Sequence, residues 1–395
     1  MLGKRFFITA FLILLFLGTS ACGSAESNSN TQEEPADSNH ADTIHIGVLV
    51  AETGASSSMG KPGSDAVKLI DSQLQKNGGM INGKKVKIHI QDFKSDDPTA
   101  ILRLKELISK EKIVAVVGAT NLSASSAVST EAEQNKIPMV SLASLPNGYG
   151  HYIFGVVQKD IVIQSVIVDY LKKHQIETVA FLHARDGFGQ NGLEAFQQLG
   201  KENNIEIVAV ESFEVLAPDM TVQLTKVKQK NPGAIIVWSR MPGSGVVAKN
   251  YKQLGFSVPM IQSHATANEA FLEQIGTEGE GQLVVGSKLN TIDQFPDDSE
   301  QIKMLKEFAD AFYEQFNYEP NIFSGYAYDG VQIVLEAIAN GNDTPEKIRD
   351  YLENGIRGYP GITGTITFSK DDHSQVAPDG LALFEVKNQE WVLVE

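Results

Sequence analysis

Three serine-bearing loops are the parts of this sequence best suited to chemistry: 51–60 (AETGASSSMG), 119–126 (ATNLSASS) and 141–144 (SLAS). Each follows an apolar run, and the first two lead into helix-length stretches. The start of a helix presents backbone N–H groups that have no partner inside the helix, and nearby hydroxyls add further donors. Such loops either cap their own helices or cradle a carboxylate, and the sequence leaves both readings open.

Other motifs fall short of the chemistry they suggest. The run Gly78-Gly79-Met80-Ile81-Asn82-Gly83-Lys84-Lys85 has the spacing of a phosphate-binding loop. Lys85, however, stands where a Ser or Thr must hold magnesium, and the helix precedes the loop, so a tight glycine turn is expected. Gly243-Ser244-Gly245-Val246-Val247-Ala248 resembles a dinucleotide fingerprint, but no acidic residue ends the next strand to hold a ribose. No G-x-S-x-G elbow occurs. The eight histidines form no H-E-x-x-H or paired ligand spacing. The sequence thus implies no enzyme, no cofactor and no metal.

The N-terminus points to export. Lys4 and Arg5 precede the apolar run 6–17 (FFITAFLILLFL), which has the length of a signal-peptide core and is short for a membrane span. Small residues lead to Cys22, the one cysteine of the chain. Its placement resembles a bacterial lipoprotein signal, with Thr19 where leucine is usual, so Cys22 is the expected lipidation site. Residues 23–42 hold no apolar residue larger than alanine and read as a disordered tether. The net charge of −16, from 33 basic and 49 acidic residues, leaves no basic stripe for nucleic acid.

The elements that must position the loops alternate. Apolar runs at 44–50, 86–91, 113–117 and 139–141 read as strands, with helices at 60–76, 97–110 and 122–135. A second group has strands near 177–182, 205–210, 234–238 and 258–261, with helices near 160–174, 188–202, 219–230 and 244–254. Uniformly apolar strands suit a parallel sheet covered on both faces. Long helices at 299–316 and 322–339 follow, then a helix opening at Thr344-Pro345. Strands at 364–368, 381–386 and 391–394 close the chain, with the last two expected to pair antiparallel across Lys387-Asn388-Gln389.

The chain also resembles the branched-chain amino-acid-binding family of periplasmic solute-binding proteins, the receptors of ABC importers. The resemblance rests on Asn77-Gly78-Gly79-Met80-Ile81-Asn82-Gly83-Lys84-Lys85, Asp92-Phe93-Lys94-Ser95-Asp96-Asp97-Pro98-Thr99-Ala100, Val116-Val117-Gly118, Ile137-Pro138-Met139-Val140-Ser141 and Gly187-Phe188-Gly189-Gln190-Asn191-Gly192. It implies an α/β protein of two Rossmann-like, doubly wound lobes joined by three crossings (the type I periplasmic-binding-protein fold), with ligand trapped between them. The expected lobes are 43–160 plus 290–377 and 161–289 plus 378–395, after a signal peptide at 1–21 and the anchor and tether at 22–42.

By the same resemblance, Ser123 (or its neighbour Leu122), Ala143 and Ser144 grip a ligand carboxylate. Phe188 replaces the tyrosine of a Tyr-Gly-x-Gly turn, keeping the ring and losing the hydroxyl. Met59 and Met241 fall near pocket-lining positions, and Tyr326 and Tyr328 fall where aromatics floor or hinge the cleft. His264 stands where amino-acid-binding members carry an acid for the ligand ammonium, and a neutral imidazole cannot replace that ion pair. The expected function is therefore a lipid-anchored monomer on the outer face of a bacterial membrane. It captures a branched-chain or related amino acid, or else an amine-free organic or aromatic acid, for an ABC permease. A sensor feeding a signalling receptor is the other class.

Overall fold

A computed structural model describes residues 43–145, 150–296 and 298–394; the signal segment, Cys22 and the tether lie outside the described residues. In chain order, the first sheet collects β1 (Thr43–Val50), β2 (Met80–Ile81), β3 (Lys84–Asp92), β4 (Ala115–Gly118), β5 (Met139–Ser141) and β6 (Ile153–Gly155). Their order across the sheet is β2-β3-β1-β4-β5-β6, parallel except for the β2–β3 hairpin. Helices α1 (Ser57–Lys76), α2 (Asp97–Glu106) and α3 (Leu122–Gln134) cover it. From Ile46 onward every residue of β1 is buried, and at Gly47 the side chains of Leu107 and Ile113 close in on the backbone. That burial on both faces is why the strands read as apolar runs.

The phosphate-loop look-alike is the β2–β3 turn. Asn82 and Gly83, with φ of 50° and 77°, form its two-residue connection, a pair of positive φ values that favours Asn-Gly.

After α4 (Asp160–Lys173), a second sheet is built from β7 (Thr178–Ala184), β8 (Glu206–Phe213), β9 (Ala234–Trp238), β10 (Met260–Gln262) and β11 (Leu283–Ser287). Helices α5 (Gly187–Asn203), α6 (Thr221–Gln229), α7 (Gly243–Gln253) and α8 (Glu269–Ile275) connect them. The chain then returns to the first lobe with α9 (Glu300–Phe316), α10 (Ile322–Ala339) and α11 (Pro345–Gly355), α10 packing along α1. A small sheet of β12 (Tyr359–Pro360), β13 (Thr365–Ser369) and β14 (Asp372–Val376) follows. Finally β15 (Leu381–Lys387) and β16 (Glu390–Leu393) add antiparallel strands to the second sheet, whose order is β16-β15-β11-β10-β9-β7-β8.

Two doubly wound α/β lobes therefore share three crossings, after β6, after β11 and between β14 and β15. The crossings are fastened by polar side chains. Buried Gln158, in the first, donates its amide to the Thr363 carbonyl at 2.5 Å, and its Oε1 accepts from the Tyr326 hydroxyl at 3.0 Å. Buried Asp329 on α10 accepts from Ile362 N, Thr363 N and the Thr363 hydroxyl at 2.6–2.9 Å.

The structure moves several expected boundaries. Helix α2 ends at Glu106 and passes into a π-helical turn, Leu107–Glu111, within the expected helix 97–110 and its edge. The strand expected at 113–117 runs from Ala115 to Gly118. Strand β13 pairs with β14, a polar segment (DHSQV) that carries no apolar alternation.

Candidate ligand-binding site

Parallel strands place all their C-terminal ends on one edge, and ligands of such sheets bind where the strand order reverses. In the first lobe that point lies between β1 and β4. Its loops are sewn together: Ala51 N donates to the Thr120 hydroxyl at 3.0 Å, and Asn121 Nδ2 donates to Ser56 Oγ at 3.2 Å. In the second lobe the reversal lies between β7 and β9, where Asp186 and Arg240 form an ion pair. The two points face one another across the cleft. Leu122, opening α3, has a methyl 3.5 Å from where a Gly187 Cβ would project at the start of α5.

The first-lobe wall is made of helix starts. Asn121 caps α3 by accepting from Ala124 N at 2.9 Å, which leaves the amides of Leu122 and Ser123 in the turn that has no intrahelical carbonyl partner. Ser123 is exposed, with its hydroxyl within 3.0–3.1 Å of Asn121 Oδ1 and Asp97 Oδ1. Buried Ser125 accepts from Ala119 N and donates to Ala119 O. Ser141 does the same for Ala143, donating to its carbonyl at 2.7 Å and accepting from its N–H at 3.2 Å. These hydroxyls serve the geometry of their own loops, so the donors left for a ligand on this wall are chiefly main-chain amides.

The second-lobe wall is aromatic. Phe188 stacks on Trp238 with centroids 5.8 Å apart at 26°, and His264 meets Phe188 edge-on at 5.8 Å and Trp238 at 5.7 Å. Trp238 closes β9, Phe188 lies in the first turn of α5 after β7, and His264 follows β10. Trp238 is fully buried and rests on α5: a Cβ at Gly192 would fall 2.0 Å from its ring, so only glycine admits the indole there.

His264 opens a 3-10 turn, His264–Thr266, directly after β10. It is 6% exposed, and burial alone pushes its imidazole down to about 4, with no charged group contributing. The ring is therefore neutral at pH 7. Its Nδ1 and the Thr266 hydroxyl are buried without a hydrogen-bond partner among the described residues, as is the Ser244 hydroxyl in the first turn of α7. Buried polar atoms normally find partners, so these three stand as exceptions.

The remaining expected residues divide. Ser144 lines a groove of about 530 Å³ between the lobes with Lys159, Asp160, Asn191 and Glu194. Burial raises Asp160 there to about 7. Ala143 is half-buried beside it. Met59 is buried in the first-lobe core and Met241 packs on the cluster around Phe271 and Trp391. Tyr326 is buried with its hydroxyl on Gln158, a position at the crossings, and Tyr328 packs on Phe308. Phe188 and His264 are thus brought together, and Tyr326 belongs to the same large core as Phe188 and Trp238, whereas Met241 packs in a separate cluster. Sequence reading missed Trp238; its place as the last residue of an apolar strand, just before a polar Ser-Arg turn, was the available signal.

A comparison with family models matches residues 43–390 to the periplasmic binding protein family. The chain belongs to that family. A curated relative, an "Amino acid binding protein" of Pseudomonas aeruginosa, is 23% identical over 323 residues, 79% of this chain and 82% of the relative. An extracellular ligand-binding receptor from Rhodopseudomonas palustris superposes with a TM-score of 0.81 at 22% identity, over 89% of this chain and 100% of that one. The branched-chain amino acid transporter substrate-binding protein LivJ of Streptococcus pneumoniae, solved with isoleucine, gives a TM-score of 0.77 at 24% identity, over 88% and 97%. At these identities the solved structures establish the fold. Family membership makes the chain a solute-binding protein that works outside the cytoplasm. No described helix is long and apolar enough to cross a membrane.

Proposed function

We propose that this chain is the solute-binding subunit of an ABC importer, lipid-anchored through Cys22, and that its ligand is a small carboxylate with an apolar end and no ammonium group. One observation carries the choice of ligand. His264, which the family resemblance aligns with the acid of amino-acid-binding members, is buried, and burial holds its imidazole neutral. An ammonium enclosed against it would lose its water and gain no counter-charge, which is strongly unfavourable.

In this reading the Leu122 and Ser123 amides, with Ala143 and Ser144 nearby, take the carboxylate at the positive end of α3. Phe188, Trp238 and His264 enclose the apolar end. The Thr266 hydroxyl and His264 Nδ1 provide for a neutral polar substituent such as a keto or hydroxyl oxygen. Residues 43–160 plus 290–377 and 161–289 plus 378–395 then act as two jaws, and closure on ligand presents the surface that a permease recognises. No bond is made or broken in the bound molecule.

A second reading, an amino acid, has one observation in its favour besides the relatives' names. Asp186 is an acid at the second-lobe switch point, and an ammonium could take the place of Arg240 beside it. Unfolding the purified protein and identifying the released molecule by mass spectrometry separates the two. A carboxylic acid without a primary amine is expected; a bound amino acid would transfer the role to Asp186. Loss of uptake of that compound on gene deletion tests the importer assignment.

A further inference from the structure

On the face of the first sheet, away from the residues of the candidate site, two histidines and a glutamate converge. Odd-numbered residues of β1 and β3 face α2, so His45 and His89 share one face on neighbouring strands. His45 Nδ1 and His89 Nε2 are 2.8 Å apart, with the rings stacked at 5.1 Å and 28°. Glu111 comes from above, its Oε2 3.5 Å from His89 Nδ1. One donor atom from each of the three lies within 4.8 Å of the other two. The His89 side chain is only 8% exposed, while Glu111 stays open to solvent at 40%.

Glu111 reaches this position through the single π-helical turn Leu107–Glu111, which ends at Lys112 with φ of 56°. One-turn π-helices are rare and gather at functional sites. Here the turn displaces the end of α2 so that a carboxylate overhangs the histidine pair. Burial holds the His89 imidazole below its ordinary value, with Glu111 opposing and Lys87 and His45 adding to that shift.

We propose that His45, His89 and Glu111 bind a divalent transition metal of the zinc class. Two imidazoles and one carboxylate are a donor set that zinc favours, with water completing the tetrahedron. His89 meets His45 with Nε2 and Glu111 with Nδ1, so one of these contacts must give way for a single His89 nitrogen to take the metal. Two nitrogens bound at about 2.0–2.1 Å in a tetrahedral site stand about half an ångström further apart than the present pair. The three residues are widely spaced in sequence, so no local motif announces them. The ion would bridge β1, β3 and the end of α2, and it would stabilise the fold without touching ligand capture.

The test is zinc titration of the metal-stripped full-length chain by calorimetry, with thermal unfolding read alongside. One zinc per chain and a higher melting temperature with zinc are expected, with at least a tenfold loss of affinity in His89→Ala and in Glu111→Gln. His40 and Cys22 lie in the same chain, so their substitution serves as the control and should leave the titration unchanged. Zinc binding that survives both His89→Ala and Glu111→Gln, or no zinc binding by the parent chain, would overturn the proposal and leave an ordinary hydrogen-bonded histidine pair.

Discussion

The Tyr326 hydroxyl donates to Gln158 Oε1 over 3.0 Å, and the amide of the same glutamine donates to the Thr363 carbonyl over 2.5 Å. A buried side chain from α10 is thereby tied, through a crossing strand, to the segment that precedes β13.

Removing the hydroxyl in Tyr326→Phe leaves Gln158 Oε1 buried without its donor. An unsatisfied buried acceptor costs about 1–3 kcal/mol. The variant should melt lower by that amount while keeping its helical circular-dichroism spectrum. Thermal unfolding that matches the parent would show that Tyr326 contributes packing only.

Gly192 gives the aromatic wall its most sensitive point. A Cβ there would collide with Trp238 at 2.0 Å, so Gly192→Ala must displace the indole. Overpacking of this kind costs about 1–3 kcal/mol. In a Trp391→Phe background, where Trp238 is the one remaining tryptophan, its emission should shift to the red and ligand affinity should fall.

The acidity of His264 sets a pH dependence whose sign is fixed. Burial lowers its folded pKa from 6.5 to about 4, so the unfolded chain takes up a proton first as pH falls. This contribution is fully present above pH 6.5 and is lost between there and about 4, some 2 kcal/mol of it between pH 7 and 5. Asp160, raised to about 7, and Asp329, raised to about 6, are both shifted mainly by burial and act in the opposite sense over the same window. The comparison of the parent with His264→Gln isolates the histidine. The ligand-free parent should lose more stability than the variant between pH 7 and 5; parallel curves would place the imidazole in water.

Replacing Asp186 discriminates between ligands. Asn keeps the side-chain oxygen that accepts from Gly189 N and so preserves the cap of α5, but removes the charge paired with Arg240. Asp186→Asn should bind an amine-free acid as tightly as the parent or more tightly, because a cation is freed at the cleft. A loss of affinity of tenfold or more on titration would make Asp186 a direct contact of a positively charged group.

Alternating strands and helices were legible because a parallel strand covered on both faces must be apolar throughout: 44–50 and 234–238 became β1 and β9 nearly residue for residue. Strand β6 spans three residues and β14 is polar, so neither has a periodicity to read. Helix α2 broke its pattern at Glu106 because the π turn keeps an apolar side chain, Leu107, in register while shifting the backbone. At the candidate site, the loops singled out from the sequence do lie at the C-terminal edge of the first sheet. The meeting of Phe188, Trp238 and His264 was hidden, since they follow or end three separate strands and only the strand order makes them neighbours. Of the two roles the sequence left open for these serine loops, Ser125 and Ser141 take the structural one and hold their own backbones.

The most direct test of the central claim compares ligands that share a carbon skeleton. The ligand-stripped protein is titrated calorimetrically with leucine and 4-methyl-2-oxopentanoate, and with phenylalanine, phenylpyruvate and benzoate. The neutral, aromatic wall around His264 calls for an amine-free acid to bind at least tenfold tighter than its amino-acid partner, a difference of about 1.4 kcal/mol. Tight binding of leucine or phenylalanine with silence from the keto acids would contradict the account.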